Sequence, residues 1–510
     1  MSDKFHTTLS RRDFMKTLGL AGAGIGAASL TAPGFSDLDE LASSPTSVRK
    51  RPWYIKEVDK PTVEIDWTLI KRFDQRLQCQ AESTNSKYAG ADEWAKVAVE
   101  ATDFAKKTLG GKGRTLRDIA LNGSAFRTIV GTPYSPTAKA GLSGKDTLKT
   151  FLPPAFVQTP DQIGLPKWTG TPEEAAHTVR AAAIFYGAGQ VGFGKLDQNL
   201  VFSYSKGEAN SAKYINAWPP PLNVAHRIDI ENIDPGFDDG QVVHLPSKPL
   251  WEISVMMPMA RDAWRTASPD VASGIASAAN SSRYRIMEIV QPSIQGFIKS
   301  LGYTCYGYFE GSGGIVPAQA SAVLTGNAEM ARHSDAVIDP EFGANMGYYS
   351  LLTDLPLAEE PAVNAGIFRF CHSCHKCANQ CPSGSISQDS EPSWEVTQGI
   401  TTKYKIPNIN QAPGKKLFWT DMHSCMKWRN IHGCNVCRVN CTFNVNAGAI
   451  AHQFIKSAVA TTPLFNAFFY KMGESFGYGA GKDSDQWWDK QLPQFGFDTT
   501  TDSRDGGYHK

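Results

Sequence analysis

The chain has 510 residues, with 51 lysines and arginines against 50 acidic residues and a formal net charge of +1. It has neither a basic surplus nor an acidic tail, so no nucleic-acid partner is expected. A composition of 20% charged and 41% apolar residues is ordinary for a globular protein and allows two or three domains.

At the start, Ser10-Arg11-Arg12-Asp13-Phe14-Met15-Lys16 precedes an apolar run from Leu18 to Leu30. Paired arginines followed by a short Gly- and Ala-rich run read as a twin-arginine export signal over residues 1–32, too short for a comfortable membrane span. This route carries folded proteins, so metal centres can be inserted before export. The mature protein is expected outside the cytoplasmic membrane. No later segment reaches the roughly 18 uninterrupted apolar residues that a spanning helix needs, so membrane attachment calls for a partner.

Residues 33–165 form an N-terminal region in which 33–60 read as a linker and Glu93 to Leu109 as a helix. Cys79 stands alone there and reads as structural. Thr171-Pro172-Glu173-Glu174 has the cap, the proline and the returning glutamate of a helix start. The helix is expected to reach Tyr186 and end at Gly187. Gly187, Gly189 and Gly192 match a dinucleotide pattern, but they close a helix instead of opening one, so they are read as a turn.

Trp251 to Met257 reads as a buried strand. From Ser281 to Leu301, the residues Ile286, Ile289, Val290, Ile294, Phe297, Ile298 and Leu301 make a helical stripe, with a kink expected at Pro292. Tyr284 lies about 200° from Ile286 around that helix, which turns it toward a cleft or toward solvent. A strand from Tyr303 to Phe309, a Gly-rich turn holding Gly313 and Gly314, and a helix from Ala318 to Met330 follow, then Arg332 and His333. The alternation predicts an α/β (or α+β) domain over residues 166–360.

Residues 361–452 hold eight of the ten cysteines. Cys371, Cys374, Cys377 and Cys381 with Pro382 have the C-x2-C-x2-C-x3-C-P spacing of a bacterial [4Fe–4S] site. Cys434, Cys437 and Cys441 form a second run, with Cys425 nine positions upstream. In two-cluster ferredoxins the last cysteine of each run crosses to the other cluster. This assigns Cys371, Cys374, Cys377 and Cys441 to one [4Fe–4S] cluster and Cys381, Cys425, Cys434 and Cys437 to another. Zinc is the main rival, but three cysteines at such intervals with a C-P ending suit it poorly. A disulfide framework does not explain the spacing. Beyond, residues 453–510 are expected to supply a docking helix, Phe454 to Phe469, and a polar tail with Trp487 and Trp488.

Taken together, SRRDFMK with GLAGAGIGA, TPEE with RAAAIFYGAG, FIKSLGY, TDLPLA, the cysteine blocks and VATTPLFNAFF resemble the reductive dehalogenases of organohalide-respiring bacteria. The resemblance implies a nitroreductase-like domain holding a base-off corrinoid (cobalamin) beside a ferredoxin-like domain with two [4Fe–4S] clusters. It implies that a halogen of an organohalide, a chlorinated ethene or an aromatic, is replaced by hydrogen. The implied partners are a small integral-membrane anchor and a respiratory electron donor, at the outer face of the cytoplasmic membrane. Asp421-Met422-His423 lacks the glycine of the D-x-H-x-x-G cobalamin motif, in keeping with a corrinoid that takes no protein ligand.

By its position before FIKSLGY, Tyr284 matches the family's proton-donating tyrosine. Relatives supply a cation just after the segment matching Glu341-Phe342-Gly343, whereas this chain has Ala344-Asn345-Met346. Arg332 is the nearest basic candidate, and Gly313, Gly314 and Arg332 are expected at the corrinoid. Two other readings use the same cysteines: a periplasmic two-cluster electron carrier, and an enzyme like epoxyqueuosine reductase. The first leaves the long stretch before Cys371 without a role, and the second would be cytoplasmic.

Overall fold

The computed structural model describes residues 51–119, 121, 150–207, 212–270, 273–308, 314–396, 409–444, 450–462 and 481–490, plus residues 466, 469, 471 and 479. The expected export signal, the stretch up to residue 50 and Gly313 lie outside the described residues.

Strand β1 (Lys56–Val58) is followed by helix α1 (Ala91–Thr108), which buries Trp94 and Val97. Helix α2 (Pro172–Phe185) begins at a complete capping box: Thr171 accepts from the Glu174 amide and Glu174 accepts from the Thr171 amide. It leads directly into strand β2 (Gln190–Lys195), so the glycines between them make a turn. Strands β3 (Arg227–Glu231), β4 (Phe237–Asp238) and β5 (Val242–Pro246) form a small separate sheet. Strand β6 (Trp251–Pro258) is buried along nearly its whole length.

Helix α3 (Gly274–Ser300) is capped by Ser273 and carries Pro292 in its interior. Its buried face includes Ser282, Met287, Val290, Gln291, Ile294, Gln295 and Ile298, while Ile289 is exposed. The apolar stripe thus misplaces the face by part of a turn. Two glutamines occupy the core side because their amide N–H groups find acceptors: Gln291 donates to the carbonyls of Thr150 and Tyr308, and Gln295 to those of Thr150, Phe151 and Cys305.

After β7 (Cys305–Tyr306) comes α4 (Ala318–Leu324), which ends well before Met330. Gly326 and Asn327 turn the chain there, and β8 (Glu329–Met330) pairs with β9 (Val337–Ile338). Strand β10 (Met346–Thr353) is buried throughout and pairs antiparallel with β6 and β7. The main sheet has the order β2-β6-β10-β7, all antiparallel, with helices against both faces. Gly347 lies against Arg283 of α3, whereas Ser350 donates to the Val316 carbonyl near the start of α4. The fold is therefore mixed α/β of the α+β kind.

Strand β11 (Ala362–Asn364) pairs with β1, and Tyr54 and Ile55 are buried with Ile367, Phe418 and Trp419. Tyr54 and Ile55 in the core and the β1–β11 pairing thus tie residues 54–58 into the fold, so they are not linker. Helices α5 (Ile367–Ser373), α6 (Lys376–Asn379), α7 (Met422–His432) and α8 (Val436–Val439) carry or flank the cysteines. Helix α9 (Ile450–Thr461) docks on α5, where Arg369 donates to the carbonyls of Val459 and Ala460. The short α10 (Ser484–Trp488) buries Trp487 against the cluster around Trp264 and Ile275. Among the described residues, no helix is long and apolar enough to cross a membrane.

Candidate metal centres and a half-buried tyrosine–arginine pair

All ten cysteines are free thiols. The eight in the C-terminal region fall into two sets by the charge they exert on one another. Cys371, Cys374, Cys377 and Cys441 form one set, and Cys381, Cys425, Cys434 and Cys437 the other. Burial pushes the thiols of Cys371, Cys377, Cys425 and Cys437 up, and neighbouring thiols push them further. Bare thiolates packed this way are unfavourable, so the donor chemistry fits a cationic iron core. Among the described residues, no three His, Cys, Asp or Glu side chains gather closely enough to hold one metal ion. A cubane, in contrast, spreads its four thiolates over separate irons.

Residues outside the two cysteine runs help to hold the loops. Buried Glu329 accepts from the amide of Ala365 at 2.6 Å, from those of Ile367 and Phe368 at 3.4 Å, and from Thr62 at 2.8 Å. It caps the start of α5, where the carboxylate also complements the helix dipole. At Cys381, Sγ accepts from the Ser385 amide at 3.4 Å and contacts the Ser383 hydroxyl.

Arg332 belongs to this scaffold. Only 1% exposed, it donates to the carbonyls of Cys371, His372, Ser387 and Asp389, and its guanidinium lies 4.0 Å from the Phe418 ring centre. All five hydrogen bonds go to the backbone around the first cysteine set. Arg332 is therefore not the cation beside Tyr284, which corrects the assignment made from proximity in sequence.

That cation is Arg283. Its Nη2 donates to Tyr284 Oη at 2.6 Å, and its Cζ sits 4.4 Å from the Tyr284 ring centre. Neighbours on a helix diverge by about 100°, so this contact needs a long side chain that folds back. Gly347 provides the room, because a Cβ there would collide with the Arg283 stem. Tyr349 meets Tyr284 edge-on at 6.2 Å, and Tyr308 meets Tyr349 at 5.6 Å. Burial raises the Tyr284 phenol, but Arg283, with Arg429, Lys206 and Arg438, brings it below the usual tyrosine range. Burial instead pushes Tyr308 up to about 12 and Tyr349 well above its ordinary value.

Arg438 joins the two regions. It follows Cys437 in the chain, lies 3.4 Å from Tyr348 Oη and faces Asp335 at 3.6 Å. Despite its burial, Asp335 is held down to about 2 by His333, Arg438 and Arg429. Sequence reasoning missed Arg283, Arg438, Tyr308 and Tyr349, and the only signal for Arg283 was its adjacency to Tyr284.

Two expected corrinoid contacts read differently in the structure. Gly314 closes on a side chain and offers no open cradle, since a Cβ there would lie 2.7 Å from Tyr308 Cζ. Arg332 is committed to the cysteine loop. His423 is a core residue: its Nδ1 lies 3.0 Å from Asn85 Oδ1, and its ring packs between Tyr88 and Trp94.

A family model described as a reductive dehalogenase subunit matches residues 50–357. The match ends before Cys371, so it does not depend on the cysteine blocks. The chain is 29% identical to the chloroethene reductive dehalogenase of Dehalococcoides mccartyi strain VS, covering 98% of this chain and 100% of that protein. It is 31% identical to the trichloroethene reductive dehalogenase of Dehalococcoides mccartyi strain 195, covering 97% and 98%. A solved reductive dehalogenase, reported with a mechanism for B12-dependent dehalogenation, shares the fold. It has a TM-score of 0.57 at 17% identity, covering 90% of this chain and 53% of that one. The chain thus spans about half the length of that solved protein.

Proposed function

The chain belongs to the reductive dehalogenase family, and from that premise we propose that it is the exported catalytic subunit of organohalide respiration, acting on chlorinated ethenes. The substrate class follows the two relatives aligned over nearly their whole length, which are named for chloroethene and trichloroethene. Family membership also favours this reading over an electron carrier or an epoxyqueuosine reductase. The proposed cofactors are a base-off corrinoid in a nitroreductase-like region and two [4Fe–4S] clusters in a ferredoxin-like one. A small membrane anchor and a respiratory donor at the outer face of the cytoplasmic membrane complete the assembly.

One observation carries the reading: a half-buried tyrosine–arginine pair feels the charge of Arg438, which follows Cys437 in the chain and contacts Tyr348. When bound, the corrinoid supplies a strongly reducing metal centre, recharged by single electrons through the clusters. The protein's own residues govern the proton. Tyr284 Oη donates it to the carbon that loses halogen, and Arg283 Nη2 stabilises the phenolate left behind. Tyr349 packs against Tyr284 and Tyr308 against Tyr349, and together they help keep water from the pair. On the electron side, Cys371, Cys374, Cys377 and Cys441 would hold one cluster and Cys381, Cys425, Cys434 and Cys437 the other. Arg332 and Glu329 fix the first loop.

The test is anaerobic preparation of the full chain, cyanide extraction of corrinoid, an iron assay, and turnover of chlorinated ethenes with a reduced dye. One corrinoid, about eight irons per chain and release of chloride are expected. Iron without corrinoid, even after refolding with cobalamin, would leave the electron-carrier reading in its place.

A further inference from the structure

We propose that Arg283 and Tyr349 form a halide-binding site beside Tyr284, which receives the anion that leaves the substrate. The inference rests on the dehalogenase reading above. Tyr349 is 2% exposed, and its hydroxyl has no hydrogen-bond partner among the described residues. Arg283 Nε is likewise buried without a partner. The two side chains flank the same tyrosine: Arg283 lies over the Tyr284 ring, and Tyr349 packs edge-on against it. Two orphaned donors on side chains against one ring are costly unless something fills them.

Charge points to the class of ligand. Among the described residues, no carboxylate lies within ion-pair distance of Arg283. After the tyrosines Tyr284 and Tyr349, the group that acts on it most strongly is Arg438, a second cation. A buried cation without a counter-ion favours an anion. The geometry narrows the choice further. Arg283 Nη2 is already given to Tyr284, so the guanidinium cannot offer that corner to an oxyanion in a fork. The groups left buried without a partner are one N–H, at Arg283 Nε, and one O–H, at Tyr349 Oη, which suits a small spherical ion.

The reaction produces such an ion here. With two electrons from the respiratory donor and one proton from Tyr284, the carbon–halogen bond breaks, a carbon–hydrogen bond forms and halide departs. Phenolate and halide then appear together, two negative charges in a low-dielectric pocket. Arg283 can serve both, through Nη2 for the phenolate and Nε for the halide, while Tyr349 supplies the second donor to the halide. Reprotonation of Tyr284 and escape of the halide reset the site.

Bromide is the probe. Crystals of the holoenzyme soaked in bromide, with data collected at the bromine edge, are expected to place an anomalous peak within hydrogen-bond distance of Arg283 Nε and Tyr349 Oη. In solution, bromide should inhibit chlorinated-ethene turnover, and Tyr349→Phe should require at least about tenfold more bromide for the same inhibition, as expected when a hydrogen bond to an anion is lost. The same variant removes an unsatisfied buried hydroxyl, so its thermal midpoint should equal or exceed that of the wild type without bromide. Equal bromide inhibition in both proteins, a peak elsewhere, or a corrinoid phosphate group seated on Arg283 would overturn the proposal. A loaded enzyme that turns over no organohalide would count against the function itself, and the soak, which needs no turnover, would still judge the site.

Discussion

Gly347 on β10 lies directly against the side chain of Arg283 on α3, with no room between them for even a methyl group. That close approach lets the guanidinium lie back over Tyr284. Gly347→Ala should therefore displace Arg283 and leave the phenol without its cation. Because displacements of about 1 Å can lower turnover roughly a hundredfold, kcat should fall by that order while iron and corrinoid content stay at wild-type levels. A variant with unchanged kcat would show that the close approach does not matter for catalysis.

Tyr284→Phe removes the proposed proton donor. Loss of general-acid catalysis typically lowers turnover by about 10²–10⁴-fold, and dehalogenation should fall within that range with the cofactors retained. Chloride release under single-turnover conditions measures it directly.

The same pair sets a pH dependence. The donor must be protonated, so the rate should fall as pH rises through the Tyr284 pKa, which Arg283 and more distant cations hold below the ordinary value of 10. In Arg283→Gln, burial is opposed less strongly, so the pKa rises and the alkaline limb moves to higher pH. Profiles of kcat against pH for the two proteins decide it, and a limb that stays in place would separate Arg283 from the titration.

Arg332→Gln should act on the first cysteine set alone. Removing a buried positive charge beside that set disfavours the reduced cluster, so one midpoint potential should move to a more negative value, by about 59 mV for each tenfold change in the one-electron equilibrium. Redox titration followed by electron paramagnetic resonance should leave the second cluster unmoved. Arg332→Lys keeps the charge and should hold the potential closer to the wild type.

Some of this architecture was legible in the sequence because local chemistry decides it. The Thr171–Glu174 capping box, the buried strand at Trp251 and the cysteine spacing each follow from a few neighbouring residues. The α3 face was harder to place. Apolar periodicity counts Ile289 as core and passes over Gln291 and Gln295, which are buried because distant carbonyls accept their protons. The partner of Tyr284 was harder still. Helical geometry argues against adjacent residues meeting, and the deciding feature is the missing side chain of Gly347, sixty-three positions further along the chain. Arg332 was drawn toward the tyrosine by closeness in sequence, whereas the fold spends its donors on Cys371, His372, Ser387 and Asp389.

The interleaving of the cysteines bears on biosynthesis. Cys381, from the first block, sits with Cys425, Cys434 and Cys437, while Cys441, from the second, sits with Cys371, Cys374 and Cys377. A nascent chain that has emerged only as far as Cys437 still lacks a ligand for its first set. The set completed last thus contains the cysteines made first. If each set holds a metal centre, loading on the ribosome cannot proceed block by block in order of synthesis, and both ligand sets are complete only within a few residues of each other, once nearly nine-tenths of the polypeptide exists.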